Sequence, residues 1–358
     1  MDVLLINSTS DQEEANEPSE YGADPISDDV ISLVYLAFSI SAHGFVSLIG
    51  SAMNLCNIIV LAKMGFPNAN SICVFALSIT DFLVTVLQLA MCICYFPDEM
   101  SSGEETSLRV IGNFELGWIR YACFFISGWI TALLSLERCC CVVMPFTVKI
   151  LFTKSRIKLA VVIFYASYTA FILPFYIVQK LSWQTFRYVD TQNVTQVRYF
   201  LVFEYTEEFI LLQTFIISIG VVALFFLCQI ILVICTVVMI YALRESSKSR
   251  HSILRHDVSK TPTFSLSAKE RRLILVTLGL AVISTACNLP RFADHVMRYV
   301  MPGMASGMYA NLSGLLWAVS DVSGTLNCSC SFCVYWTLNH NFRRCLFQMI
   351  SKFVNRTK

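Results

Sequence analysis

The chain has 358 residues, of which 56% are hydrophobic and 14% charged, against about 45 to 50% apolar and roughly 25% charged in soluble domains. That composition argues against a soluble globular protein, and a net charge of only +1 gives no basis for nucleic-acid binding. Most of the fifteen cysteines lie inside apolar stretches, where a thiol packs as a small hydrophobe and not as half of a disulfide scaffold.

Residues 1–29 carry nine acidic and no basic side chains and are expected to form a disordered tail. They lack the basic region and long apolar core of a cleavable signal. Beyond them, uncharged intervals can be measured against the bilayer, whose core of about 30 Å takes about 20 apolar helical residues to cross. The first interval is 30–62. The second, 64–97, contains only Asp81, and the third, 116–136, only Arg120. The fourth is 159–179, the fifth is 209–243, and the sixth is 273–290, where Arg291 interrupts it. The seventh, 299–342, holds only Asp321. After it, Phe342, Leu346, Phe347 and Ile350 recur at helical spacing beside Arg343 and Arg344, the pattern of an amphipathic interfacial helix. The expected fold is an all-α membrane protein, a seven-transmembrane helix bundle with a short amphipathic eighth helix. Its parts are an acidic extracellular tail (1–29), a membrane domain (30–336), and an amphipathic helix with a short cytoplasmic tail (337–358).

Cytoplasmic loops retain lysine and arginine. Lys63, the segments 138–158 and 244–272, and the tail after Phe342 hold 19 of the 26 basic residues, which places those segments inside and the amino terminus outside. Asn7 and Asn193 begin glycosylation triplets on the outer side. Asn355 begins one on the inner side, where no glycan is added.

Ionisable residues within a membrane helix are costly and face the bundle interior. On the third span Arg120, Ser127, Thr131 and Arg138 fall on one line of the helix, with the two arginines about 27 Å apart. Asp81, mid-span, needs a polar partner, water or a cation. Arg291, Asp294, His295 and Arg298 recur at helical spacing after the sixth span, and Asp321 lies in the outer part of the seventh. With Arg120 they line a ligand pocket, or Arg120 and Asp321 form an internal ion pair that fixes packing; both readings can hold together. Cys345 in the last helix is a palmitoylation candidate or an unmodified thiol.

These residues resemble a rhodopsin-type G-protein-coupled receptor over 31–350. Glu137-Arg138-Cys139, followed by Pro145, is similar to the family's acidic-Arg-Tyr motif and loop proline. Leu77-Ser78-Ile79-Thr80-Asp81 and Asn57-Ile58-Ile59-Val60 are similar to its second-span and first-span motifs, and Cys287-Asn288-Leu289-Pro290 to its sixth-span kink. A finer similarity, to invertebrate chemosensory receptor-like proteins close to neuropeptide receptors, rests on three segments. These are Gly128-Trp129-Ile130-Thr131-Ala132, the stretch from Glu137 through Pro145 to Lys149, and Val334-Tyr335-Trp336.

The resemblance implies a plasma-membrane receptor that binds an extracellular small molecule or peptide and activates a heterotrimeric G protein; the ligand-binding residues read from the charges are Arg120, Arg291, Asp294, His295 and Asp321. It implies that Arg138 pairs with Glu137 and Glu270 at rest, that the sixth span pivots at Pro290, and that Cys139 and Tyr335 belong to the coupling machinery. No cofactor is implied, apart from a sodium ion as allosteric modulator held by Asp81, Ser127, Asn327 and Ser331. The chain departs from the family in several ways: no cysteine lies between Val142 and Leu227 for the usual disulfide, Asn288 replaces a tryptophan, Ser331-Phe332 replaces Asn-Pro, and the fifth span and the seventh beyond Pro302 contain no proline. A transporter of a small polar solute is the main alternative, although no inverted repeat is evident. An intramembrane enzyme would need a nucleophile or metal motif that the five histidines do not make.

Overall fold

The computed structural model describes residues 24–100, 108–189, 195–204, 206–216, 222–254, 267–305 and 308–357. In lipid every backbone group must be satisfied within its own segment, so long apolar runs become helices. The first rod, α1, passes from Asp28–Val34 through a π-helical stretch, Tyr35–Ala42, into His43–Met64. It stops at Gly65, whose φ of 72° suits a residue without a Cβ. Helix α2 is Ala69–Met100. Helix α3 comprises Leu108–Gly112, a π-helical turn Asn113–Gly117, and Trp118–Val143. Helix α4, Lys154–Val178, is N-capped by Thr153 and contains Pro174.

Between the fourth and fifth apolar intervals, strand β1 (Lys180–Val189) pairs antiparallel with β2 (Thr195–Glu204), in register from Lys180 opposite Glu204 to Val189 opposite Thr195. Helix α5, Glu207–Phe215, follows with Thr206 as its cap. Helix α6, Leu224–Leu254, carries the fifth apolar interval past residue 243 into the basic segment. Helix α7 is Ala268–Val300, with Pro290 inside it. The seventh interval yields α8 (Ala310–Ser329) and α9 (Ser331–Leu338), which are separated at Cys330; α10 is His340–Thr357.

Six helices among the described residues are long and apolar enough to cross a membrane: α1, α2, α3, α4, α6 and α7. Helix α8 is not among them, because serine, glycine, asparagine and Asp321 dilute its apolar residues. The chain is thus a multi-pass helical membrane protein, with one hairpin among the described residues.

Helix α3 is the axis of the bundle. Two-thirds of its most apolar window is buried, 67% against 11% for α4, and it packs on α2, α4, α6 and α7. Its Phe124, Ile130 and Leu134 join Val60, Leu77, Leu280 and Tyr335 in the main core. Water does not drive helices together inside a bilayer, so close approach depends on small residues. A Cβ at Gly50 would come within 2.9 Å of Ser329 Cβ and of Thr85 Cγ2, which shows how tightly α1, α2 and α8 meet there.

All fifteen cysteines are free thiols, and the hairpin end is tied differently. Trp118 on α3 stacks on Phe175 of α4, with ring centroids 3.6 Å apart and planes 11° apart. Its Nε1 donates to Gln179 Oε1 at 2.9 Å, just before β1. Phe209 of α5 closes on Phe175 from the other side, at 6.0 Å. Trp118→Ala is expected to cost about 3 kcal/mol, whereas Trp118→Phe, which keeps an aromatic ring, should cost about 1 kcal/mol for the lost hydrogen bond. Thermal unfolding of the detergent-solubilised protein checks both, and equal losses would contradict the stacking argument.

Candidate ligand and coupling sites

At the hairpin end, three helices converge on one carboxylate. Arg120 of α3 donates from Nη2 to Asp321 Oδ2 at 2.9 Å, and Arg291 of α7 from Nη2 to Oδ1 at 2.6 Å. All three residues are buried. The ion pair expected as the packing alternative is therefore present, and Arg291 is its third member. Arg291 is also boxed by aromatic faces, its guanidinium 4.6 Å from the Phe124 ring centroid, 5.5 Å from Trp317 and 5.7 Å from Tyr121.

A second pair joins Arg298 to Asp294 at 3.2 Å, and Arg298 Nη2 also donates to Ser313 Oγ at 2.7 Å. Three guanidiniums thus face two carboxylates. Four buried nitrogens of the cluster lack partners among the described residues: Arg120 Nε, Arg291 Nε and Nη1, and His295 Nε2. Beside them lies a cavity of about 130 Å³. Met91, Trp118, Tyr121 and Trp317 form its apolar walls, and Arg120, Asp294, His295 and Arg298 its polar lining. The five residues expected to form a pocket are thus brought together, although Arg291 and Asp321 stand behind the wall.

Two further members were not expected. His43 of α1 sits with Nε2 2.7 Å from Thr325 Oγ1 and 3.1 Å from the Asp321 carbonyl, while Gln88 Nε2 of α2 donates to its Nδ1 at 3.1 Å. An Nδ1 that accepts leaves the proton on Nε2, which then donates toward α8. The spans were measured by acidic and basic residues alone, so a histidine and a glutamine inside apolar runs gave no signal.

Midway along the bundle, Ser127 Oγ donates to Asp81 Oδ1 at 2.5 Å, and Ser331 and Cys328 lie beside that carboxylate. Ser331 further donates to Asn54 Oδ1 at 3.0 Å, and Asn54 Nδ2 to the Cys328 carbonyl at 2.8 Å. Three of the four oxygens expected around a sodium ion therefore converge. Asn327 does not join them; it lines a small separate cavity with Trp129, Gln229 and Asn288.

At the opposite end, Arg138 Nη2 donates to Glu137 Oε1 at 2.6 Å, both residues buried. Glu270, expected as the second partner of Arg138, instead caps its own helix: its Oε2 accepts from Ser267 N at 3.0 Å and from Ser267 Oγ at 2.7 Å. The capping box competes locally and wins, because the carboxylate reaches the backbone N–H and hydroxyl of its own N-cap residue without bridging two helices. Cys139 packs beside Cys235 and Met239 of α6. A cleft of about 400 Å³, lined by Met64, Asn70, Arg272 and the buried Tyr335, opens at this end. Phe342 on α10 is fully enclosed while Phe347 and Ile350 are exposed, and the half-buried Cys345 packs against the bundle. Asn7 and Asn193 lie outside the described residues.

Arg120, Ser127, Glu137 and Arg138 all lie in one contiguous segment that is similar to a known family. Residues 116–268 match the family model of the Srg family chemoreceptor. The match covers somewhat under half of the chain, from the π-helical turn of α3 to the first residue of α7. No curated protein matches the chain. A chemoreceptor match points to a receptor and away from an enzyme, and does not favour the transporter alternative. It supports the chemosensory side of the expected resemblance and gives the neuropeptide side no support.

The cluster makes an asymmetric prediction. Asp321→Asn strands two buried guanidiniums and is expected to cost about 3 to 5 kcal/mol, while Arg120→Gln leaves Asp321 paired with Arg291 and should cost clearly less. Melting temperatures of the two variants, measured side by side, test the order; a milder effect of Asp321→Asn would contradict it.

Proposed function

We propose that the chain is a seven-crossing chemosensory receptor of the plasma membrane, with its amino terminus outside, that detects a small carboxylate and activates a heterotrimeric G protein. The observation that carries this reading is that buried Arg120 and Arg291 share the single carboxylate of Asp321 beside a cavity, with Arg120 on the helix that carries Glu137 and Arg138 toward its other end. Helix α8 with α9 serves as the seventh crossing. Its polar residues are acceptable there because they face α1, α2 and α3 through His43, Asn54, Asp81 and Arg120. Helix α10 lies along the inner membrane surface with Phe347 and Ile350 in lipid.

In the resting arrangement Asp321 ties α3 to α7. A ligand carboxylate meeting Arg120 Nε and His295 competes for the guanidinium and loosens that tie. Arg291 follows Pro290 directly, where the helix lacks one backbone hydrogen bond. Release of Arg291 therefore acts at the weakest point of α7, and the population shifts toward a state with α7 swung outward. The movement opens the cleft beside Tyr335 and frees Arg138 from Glu137, giving the G protein its docking surface. Asp81, Ser127 and Ser331 hold a sodium ion in the resting state, its charge balanced by the carboxylate.

GTP turnover by a heterotrimeric G protein, with the receptor reconstituted in nanodiscs, tests the scheme against a panel of small carboxylic acids and their methyl esters. Acids should stimulate and esters should not, and Arg120→Gln should raise the half-maximal concentration by about tenfold or more, as for a lost charge-assisted hydrogen bond. Esters as potent as acids would remove the anion from the argument. Accumulation of the acid inside sealed vesicles without G protein would favour transport. For the coupling end, Arg138→Ala is expected to abolish turnover while leaving acid binding unchanged. Sodium should weaken agonist binding in the wild type and lose that effect in Asp81→Asn; an identical sodium response in both proteins rules out the ion site.

A further inference from the structure

The first turn of α8 is capped by a residue from the other end of the chain. Tyr309, which precedes the helix, gives it no side-chain cap. Asp24 takes that place: its Oδ2 accepts from the backbone N–H of Asn311 at 2.8 Å, and its Oδ1 from the backbone N–H of Ile26 at 3.0 Å. Asn311 Nδ2 donates in return to the Ile26 carbonyl at 3.0 Å. A carboxylate at the start of a helix meets N–H groups that have no partner within the helix, and the positive end of its dipole. Buried Ile31 then seats α1 on α8, where a Cβ added to Gly314 would come within 3.3 Å of Ile31 Cδ1. Residue 24 is thereby held at a fixed point.

That point lies beside the mouth of the Arg120 cavity. Ser313, two residues beyond Asn311, accepts from Arg298 Nη2 at 2.7 Å, and Arg298 lines the cavity. Arg298 is also the accessible guanidinium of the cluster. Its side chain is 35% exposed, against 8% for Arg120 and 3% for Arg291. Asp294 takes its Nε and Ser313 its Nη2, which leaves Nη1 without a partner among the described residues.

Upstream of the anchor, residues 1–23 contain Asp2, Asp11, Glu13, Glu14, Glu17 and Glu20 and no basic residue. An extended chain covers at most about 3.5 Å per residue, so Glu20 reaches up to about 14 Å from Asp24 and Glu17 up to about 24 Å. Two helical residues separate the anchor from the side chain that holds Arg298, an axial rise of only about 3 Å. Both glutamates are therefore within range of the Arg298 guanidinium.

We infer that residues 1–23 are a tethered anion that docks on Arg298 and guards the mouth of the cavity. The contact is a carboxylate of the tail on the open edge of the guanidinium, a charge-assisted hydrogen bond. One such exposed pair is weak, but a short tether presents the tail at about millimolar effective concentration, and six carboxylates share the task. A soluble acid must then displace an anion that the receptor itself carries. The guarding role rests on the carboxylate reading of the cavity; the docking of the tail does not.

The test uses the full chain in nanodiscs with the photoreactive substitution Tyr21→benzoylphenylalanine, three residues before the anchor. Crosslinks mapped by mass spectrometry are expected on α7 and α8 around Arg298, Ser313 and Trp317. They should fall by about fivefold or more in about 1 M salt, where screening acts beyond about 3 Å, and equally when the six acidic residues are changed to their amides. Excess small carboxylic acid should displace them. Deletion of residues 1–23, which leaves Asp24 in place, should lower the half-maximal acid concentration for G-protein turnover by about three- to tenfold. Crosslinks confined to the hairpin or to lipid, or equally strong with the amide tail, overturn the docking. An unchanged half-maximal concentration after the deletion overturns the guarding role. Crosslinks at the mouth that require the acidic residues but ignore added acid uphold the docking and strike the carboxylate reading instead.

Discussion

Everything at the hairpin end depends on one carboxylate serving two guanidiniums. Asp321 draws together α3 and α7 through charge, and the α8 turn that carries it reaches α1 and α2 through His43 and Gln88. In a low-dielectric interior none of these groups is tolerable alone, so each fixes the position of the others. The arrangement is held by mutual need. It remains one negative charge short of neutrality, and that deficit turns a packing device into a candidate recognition site.

The same economy recurs along the bundle. Ser127 and Ser331 meet Asp81, Asn54 meets Ser331 and the Cys328 carbonyl, and Glu137 meets Arg138. Most of these contacts place a short polar side chain of one helix on the carboxylate or carbonyl of another. They allow α8, whose polar residues keep it out of the six most apolar spans, to sit against the bundle interior. Small residues such as Gly50 bring the backbones close enough for such short side chains to reach.

Much of this was legible in the sequence, for a simple reason. A lone charge inside an apolar interval announces both the span and the need for a partner, and so Arg120, Asp81 and Asp321 were visible, while Arg138 was visible through its motif with Glu137. Asn288 was visible as a departure from a resembling motif. His43 and Gln88 were invisible because neutral polar residues do not interrupt an interval. The Trp118 stack was invisible because it exists only once α3 and α4 are side by side. Glu270 shows the reverse problem. Ser267-Ala268-Lys269-Glu270 is a capping-box signature in its own right, yet the resemblance to receptors directed that carboxylate toward Arg138, and the local bond prevailed. The apolar count of the seventh interval also overstated its helix, since the residues that make α8 useful are those that lower its hydropathy.

The clasp at Trp118 has a consequence for the environment in which the protein keeps its shape. An outer rim joined by sulfur depends on an oxidising compartment to form the bond and on the absence of reductant to keep it. Here the junction of α3, α4 and the hairpin rests on an indole stacked on Phe175 and hydrogen-bonded to Gln179, with every thiol free. The rim therefore assembles without an oxidation step, and its geometry is indifferent to redox potential.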